Sequence, residues 1–233
     1  MKGALFVSFW VLYQFGVAQT TEQALWVETG VKYEMNKRWA LGTELNQRYG
    51  AYGLETFFPQ VSLKYKVTKW LKPSVDYRYI SSKSYDETML ASQRINANLQ
   101  ADYTKKRWSF GLRVRYQFSF SRWNTSYDAE FDQAWRIKPS ITYDINDFVL
   151  SPVCSAEFFY DPTYHQHGRQ FARIRYFTGF MLDLNSPHEL GLGVYFDQWI
   201  NQVPKQRVMY SIAYSYAIQK KKKKEKTSPK NNL

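Results

Sequence analysis

The stretch WSFGLRVRYQFSF, residues 108–120, decides the fold, because large apolar side chains alternate in it with polar or small ones. Every second residue from Trp108 to Phe120 is aromatic or aliphatic, whereas the positions between them include Arg113 and Arg115. Successive side chains of a β-strand point to opposite faces. The stretch therefore predicts a strand with one apolar and one polar face.

The same alternation recurs along most of the chain and predicts an all-β fold. No long stretch has apolar residues at helical spacing. The apolar face of the predicted strands carries no Asp, Glu, Lys or Arg, although these residues make up 22% of the chain. The eleven predicted strands are 25–35, 39–47, 57–67, 71–79, 95–103, 108–120, 135–143, 148–160, 172–182, 190–200 and 208–218.

The composition narrows the classes of protein further. A chain of 233 residues, 44% hydrophobic and 18% aromatic, is long enough for one barrel or sandwich. The mean hydropathy of −0.54 excludes a bundle of transmembrane helices. The single Cys154 excludes a disulfide framework and a cysteine-based zinc site. A membrane β-barrel stays open, because only alternate residues of its strands need be apolar.

Alternation alone leaves two barrels open: a soluble lipocalin-like barrel with an apolar lumen, and a membrane barrel with an apolar exterior. Packing volume favours the membrane barrel, because rings such as Trp39, Trp108 and Trp135 would overfill the lumen of so small a barrel. Tyrosines near the predicted strand ends match the aromatic girdles of membrane barrels. We therefore predict a transmembrane antiparallel up-and-down β-barrel of about 10–12 strands in the bacterial cell outer membrane.

The two ends of the sequence predict export and a periplasmic tail. Residues 1–18 have the pattern of a signal peptide, with Lys2, an apolar run and a small-residue cleavage site before Gln19. The apolar run is too short for a membrane anchor. We assign residues 19–219 to the barrel and 220–233 to a disordered, lysine-rich periplasmic tail. With both ends periplasmic the strand number should be even, which conflicts with the eleven segments.

The connections between the predicted strands alternate in length, as in barrels with short periplasmic turns and long external loops. Short connections are predicted at 36–37, 68–69, 104–107, 144–147 and 183–189, and long ones at 48–56, 80–94, 121–134 and 161–171. Four prolines on the apolar face are expected to mark strand ends or bulges, because proline cannot donate to the strand ladder. These are Pro59, Pro73, Pro139 and Pro152.

Several short motifs, taken in order, resemble a known family. They are Trp26, the strand from Glu44 to Arg48, Tyr77-Arg78-Tyr79, Arg113-Val114-Arg115-Tyr116-Gln117 and Ser155-Ala156-Glu157-Phe158. In this order they resemble domain-of-unknown-function family 2490, predicted outer-membrane proteins of Gram-negative bacteria. The resemblance covers residues 24–218 and implies a barrel in the outer membrane. It implies no particular activity.

The charges on the polar face predict a charged lumen, for which two interpretations stay open. It carries fourteen basic and eight acidic residues. In one reading these charges pair and fill a structural lumen, since isolated charges in a narrow barrel are costly. In the other the basic surplus makes a small anion-preferring pore or binding cavity. The candidate lumen and binding residues are Arg48, Arg78, Arg94, Arg113, Arg115, Arg173, Arg175, Glu44, Asp76 and Glu157.

Other chemistry is weakly supported by the sequence. His165 and His167, near Asp161, form at most two ligands of a surface metal site, so no metal or other cofactor is predicted. An outer-membrane lipid-modifying hydrolase is the alternative function, and it would need a loop histidine to reach a serine such as Ser126. All three histidines, including His188, fall in predicted connections.

The expected partners follow from the barrel and its charge. We expect a monomer in outer-membrane lipid that takes a small anionic solute. No nucleic acid is expected, because the lysine run lacks interleaved aromatic residues and follows a secretory signal. The predicted function is a structural or small-solute-permeation barrel rather than an enzyme.

Overall fold

A computed structural model describes residues 21–83, 88–121, 133–146, 148–164, 168–184, 187–201 and 205–218. The predicted signal peptide and the lysine tail lie outside the described residues. Within this part of the chain no helix is long and apolar enough to cross a membrane.

In the described part of the chain, eleven strands form one closed barrel, which confirms the predicted all-β barrel of 10–12 strands, although its sheet is mixed rather than wholly antiparallel. Each strand pairs antiparallel with its neighbours in sequence, and β1 closes the barrel by pairing parallel with β11. The strands are β1 (Thr21–Glu34), β2 (Trp39–Gly50), β3 (Gly53–Tyr65), β4 (Leu71–Lys83), β5 (Met89–Lys105), β6 (Trp108–Ser121), β7 (Gln133–Tyr143), β8 (Leu150–Asp161), β9 (Gln170–Asp183), β10 (His188–Trp199) and β11 (Gln206–Ile218).

The expectation of an even strand number is wrong. An odd number of strands that run alternately up and down leaves the first and last strands parallel, and the seam between β1 and β11 has this form. Thr21 pairs with Gln206 at one end of the seam, and Tyr33 pairs with Ile218 at the other. The first and last described residues therefore lie at opposite ends of the barrel.

The two ends of the barrel differ in their connections. At the end where β11 finishes, which we call the turn end, the strands are joined through 35–38, 66–70, 106–107, 144–149 and 184–187. At the other end, the loop end, the connections are 51–52, 84–88, 122–132, 162–169 and 200–205. The long loops predicted at 48–56 and 80–94 are wrong, because strand pairing continues beyond the apolar residues into polar ones. Gly53, with a φ of 90°, follows the two-residue turn between β2 and β3.

The wall has its apolar face outside and its polar face inside. Outward side chains such as Val75 and Leu99 are 54% and 46% exposed. Inward ones such as Arg115 and Asp197 are 5% and 1% exposed. This orientation excludes the lipocalin-like alternative with an apolar lumen. It places the charged residues where they can form an internal site.

The four prolines lie within strands rather than at strand ends. Pro59 and Pro139 each lie in an interruption of one ladder, between β3 and β4 and between β7 and β8 respectively. Pro73 and Pro152 are each the third residue of their strand and remain in register with a neighbour. The barrel thus accommodates proline by losing ladder bonds on one side only.

Candidate functional site

The barrel encloses a cavity of about 680 Å³ in its middle. A second space of about 840 Å³ opens at the turn end, and both are lined by Glu44, Ser62, Lys64 and Lys72. The two spaces therefore adjoin each other, and the second forms the mouth of the lumen at the turn end. All ten residues proposed from the sequence line the central cavity: Arg48, Arg78, Arg94, Arg113, Arg115, Arg173, Arg175, Glu44, Asp76 and Glu157.

Small inward residues line one side of the mouth. Gly42 and Ala217 line the space at the turn end, and Gly191 and Ala213 line a small recess beside it. Further inside, the ring of Phe177 lies against Gly193, where an added Cβ would fall 2.4 Å from the ring and 2.8 Å from a backbone oxygen. Gly193 thus accepts a flat ring in the lumen, and Gly42 at the mouth leaves room for the side chain of Ser62.

A first ion-pair group joins β4, β5 and β6. Arg115 donates from Nη2 to Oδ2 of Asp76 over 3.1 Å, and its Nε donates to Oδ1 of Asn98. Asn98 in turn donates to Oδ2 of Asp76 over 2.9 Å. All three side chains are buried. Each charge is therefore both neutralised and hydrogen-bonded, which is what burial of an ion pair requires.

A second group joins β6, β7 and β8 through one carboxylate. Glu157 accepts from Nη2 of Arg136 over 2.7 Å and from Nη2 of Arg113 over 2.9 Å. Arg136 also lies over the ring of Phe159, with its Cζ 4.5 Å from the ring centroid. Glu157 and Arg136 are buried, whereas the side chain of Arg113 remains 26% exposed to the cavity.

A third group joins β9 and β10. Arg175 holds Asp197 with two hydrogen bonds, from Nε over 2.6 Å and from Nη2 over 2.7 Å. Arg173 approaches the same carboxylate at 3.7 Å and lies over Phe159, 4.1 Å from its centroid. The planar guanidinium group suits both contacts, because it binds a carboxylate through its edge and a ring through its face.

Together these groups form an ion-pair belt that runs around the lumen from β4 to β10. Its charged members are Asp76, Arg113, Arg115, Arg136, Glu157, Arg173, Arg175 and Asp197. Breaking a buried pair by removing one partner is costly, so the belt is expected to be rigid. The sequence reading of a lumen filled with arginine–carboxylate pairs describes this part of the barrel.

The lumen wall formed by β1, β2 and β3 is different. Arg48 lies over two rings, with its Cζ 4.0 Å from the centroid of Trp26 and 4.9 Å from that of Phe58. Within the described residues no hydrogen bond or ion pair reaches its guanidinium group. Glu44 accepts from Gln60 over 2.8 Å, and Arg78 donates to the same Gln60. The candidate Arg94 donates to Ser119 over 2.9 Å.

The whole lining of the central cavity is basic. Eleven lysine and arginine side chains line it against five aspartate and glutamate side chains. In a lumen screened from bulk water by the wall, such a surplus attracts anions and repels cations.

Sequence reasoning missed several members of the site. Arg136 and Asp197 were recognised on the polar face but not selected, although each is central to an ion pair. Trp26, Phe159 and Tyr195 were not placed in the lumen, although arginine side chains lie over all three rings. The available signal was their position in the alternation, which places all three on the polar face of their strands. Large aromatic residues at such positions indicate a packed lumen rather than a wide water-filled one.

The described residues bear on the other chemical hypotheses only in part. Within them, no group of three or more His, Cys, Asp or Glu could hold a metal ion. His165, His167 and Ser126 lie outside the described residues, so the hydrolase prediction stays untested there. His188 was expected in a connection but begins β10, because strand pairing with β11 extends to it. Its Nδ1 is 2.7 Å from the hydroxyl of Tyr214.

Comparison with known proteins identifies the family. The chain belongs to the family described as "Protein of unknown function (DUF2490)", whose sequence model matches residues 23–209. The match covers most of the barrel, from β1 into β11. No curated protein matches the chain.

Proposed function

We propose that this member of the DUF2490 family is a bacterial outer-membrane barrel that passes small anions through its basic lumen. The observation that carries the proposal is the cavity lining, in which eleven basic side chains face five acidic ones. A closed barrel with an apolar exterior is suited to stand in a bilayer with this basic lining inside it.

The exterior of the barrel supports a membrane location. Aromatic pairs lie on its outer face near the turn end, at Trp39 with Tyr65 and at Trp108 with Tyr143, each with ring centroids 4.6 Å apart. Tyr116 and Trp135 form a similar pair toward the loop end, 4.9 Å apart. Amphipathic rings of this kind favour the two interfaces of a bilayer. The barrel is proposed to stand as a monomer in lipid with its turn end in the periplasm.

The ion-pair belt is proposed as the constriction of this pathway. Its guanidinium groups are fixed by carboxylates and rings, so a passing solute meets fixed donors. Arg113 is the belt member with a cavity-exposed side chain, and it shares Glu157 with Arg136. Its charge can therefore act on a solute, and its removal leaves Glu157 with a partner.

The test is conductance of the purified barrel in a planar bilayer under a salt gradient. We expect discrete current steps and a reversal potential on the anion-selective side. Arg113→Gln should lower the anion preference, whereas Lys69→Gln, which removes one charge from an exposed turn, should change it less. Cation selectivity, or no current from barrel shown to be folded, would refute the pore.

A further inference from the structure

Among the described residues, three of the buried donors without a hydrogen-bond acceptor lie on β1 and β2. They are Nε1 of Trp26, Nδ2 of Asn46 and Nε of Arg48. All three residues line the central cavity. Trp26 and Arg48 are directly opposite each other in the β1–β2 ladder, and Asn46 precedes Arg48 by two residues on the same face. The donors therefore converge on one patch of the lumen wall.

Leaving a buried donor unpaired is unfavourable, more so for a charged group, so three together indicate that an acceptor is missing. The ion-pair belt shows how this barrel treats its other buried arginines, which receive carboxylates from β4, β8 and β10. Arg48 receives none from the described residues. Other arginines, namely Arg175, Arg78 and Arg94, line the same cavity.

The surroundings of Arg48 define the shape of the missing group. Rings lie over its guanidinium group at 4.0 Å and 4.9 Å, so a ligand is directed to its edge rather than its face. The edge of a guanidinium matches the two oxygens of a carboxylate or phosphate. Arg78 lies over the same Phe58 ring, 5.1 Å from its centroid, and supplies a second positive charge.

The backbone beside Arg48 is also irregular. The register between β2 and β3 shifts between Arg48 and Tyr49, where β3 carries one extra residue, Glu55. Such a bulge changes the direction of neighbouring side chains. Glu55 binds Arg207 instead of turning toward Arg48. The carboxylate of Glu55 is thus paired with Arg207 and is not the acceptor for Arg48.

We propose that Trp26, Asn46, Arg48 and Arg78 form a binding site for the oxyanion group of a small solute. This site deepens the proposed function and rests on it, since it is a specific binding position for the anions that enter the lumen. Glu28, which lies opposite Asn46 in the ladder and also lines the cavity, bounds the site toward the turn end. Its charge should favour solutes with a single anionic group over those with several.

The test is isothermal titration calorimetry on the folded, detergent-solubilised full chain with inorganic phosphate and, separately, acetate. Sodium chloride serves as a spherical anion that cannot use the guanidinium edge. We expect saturable binding of an oxyanion to one site, and weaker or no binding of chloride. Calorimetry needs no current, so it separates this site from the pore: binding without conductance would retain the site and refute the pore.

Three variants locate the site. Arg48→Gln should weaken oxyanion binding about tenfold to a hundredfold, the range expected for one charge-assisted bidentate contact. Trp26→Phe keeps the ring but removes its donor and should weaken binding severalfold. Lys138→Gln removes the same charge from β7, on the opposite side of the lumen, and should change the dissociation constant less than about twofold, because its charge makes no contact with an anion at the Arg48 edge and acts only across the width of the lumen.

Two outcomes would overturn the site. One is the absence of oxyanion binding to folded wild-type protein at millimolar concentrations. The other is an equal loss of binding in Arg48→Gln and Lys138→Gln, because a general basic field rather than a local site would then hold the anion. Arg48→Gln should fold, since it removes a charge that has no partner, and heat-dependent gel mobility of each variant verifies this.

Discussion

Replacing Asp197 by Asn should destabilise the barrel more than any change to an exposed ion pair. Asp197 is 1% exposed and receives two hydrogen bonds from Arg175. Asparagine keeps the size and one acceptor oxygen but removes the charge. Arg175 then remains buried beside Trp26 and Tyr195 without its hydrogen-bonded carboxylate.

The magnitude follows from burial. Removing one partner of a buried pair costs about 3–5 kcal/mol, because the remaining charge has lost its water and its counter-charge. The Lys32–Glu189 pair has the same 2.6 Å separation as the shorter Arg175–Asp197 bond, but its side chains are 53% and 45% exposed. An exposed pair of this kind contributes about 0.2–1 kcal/mol. Glu189→Gln is therefore the matched control.

The assay is reversible unfolding in denaturant from lipid vesicles, which gives the free energy of unfolding of each variant. A double-mutant cycle with Arg175→Met should show that the double variant loses less stability than the two single variants combined, by about 0.5–3 kcal/mol. If Asp197→Asn costs no more than Glu189→Gln, or if the two single effects add, the ion-pair belt does not stabilise the barrel as argued here.

Two further predictions concern the wall itself. Gly193→Ala should lower the free energy of unfolding by about 1–3 kcal/mol, because its Cβ would meet the Phe177 ring and a backbone oxygen. Gly191→Ala is the control and should lower it less, because the closest contact of its Cβ would be Met181 Sδ at 3.3 Å. Equal unfolding midpoints for the two variants would contradict this prediction. Cys154, the single cysteine, is exposed on the outer face of β8, so in vesicles an apolar maleimide should label it and a charged one should not, and equal labelling by both would argue against a lipid-facing wall.

Much of the fold follows from alternation alone. The stretch 108–120 lies within β6, and each of the eleven segments corresponds to one strand of the barrel. The predicted strand ends were less accurate, because apolar alternation stops where the apolar band stops, while hydrogen bonding continues. β2 and β3 continue in this way to the turn at 51–52, where the sequence predicted a long loop.

The site was less predictable than the wall. Parity placed Arg48 and Arg113 on the lumen face, and both line the cavity. The alternation along one strand does not predict which carboxylate pairs with which guanidinium group, because the pairing depends on the register between strands far apart in sequence. Arg113 and Glu157 are 44 positions apart and meet across β7, a contact that alternation cannot predict.

The parallel seam between β1 and β11 constrains how such a barrel can change its size. A hairpin adds or removes two strands, so gain or loss of hairpins keeps the count odd and preserves the seam. Only the loss or gain of a single strand would make the barrel even, and that change would move one terminus to the other rim. If the barrel spans the outer membrane as proposed, Thr21 and Ile218, at opposite ends of the seam, face different compartments, so labelling of intact cells at these two positions would distinguish an odd from an even number of strands.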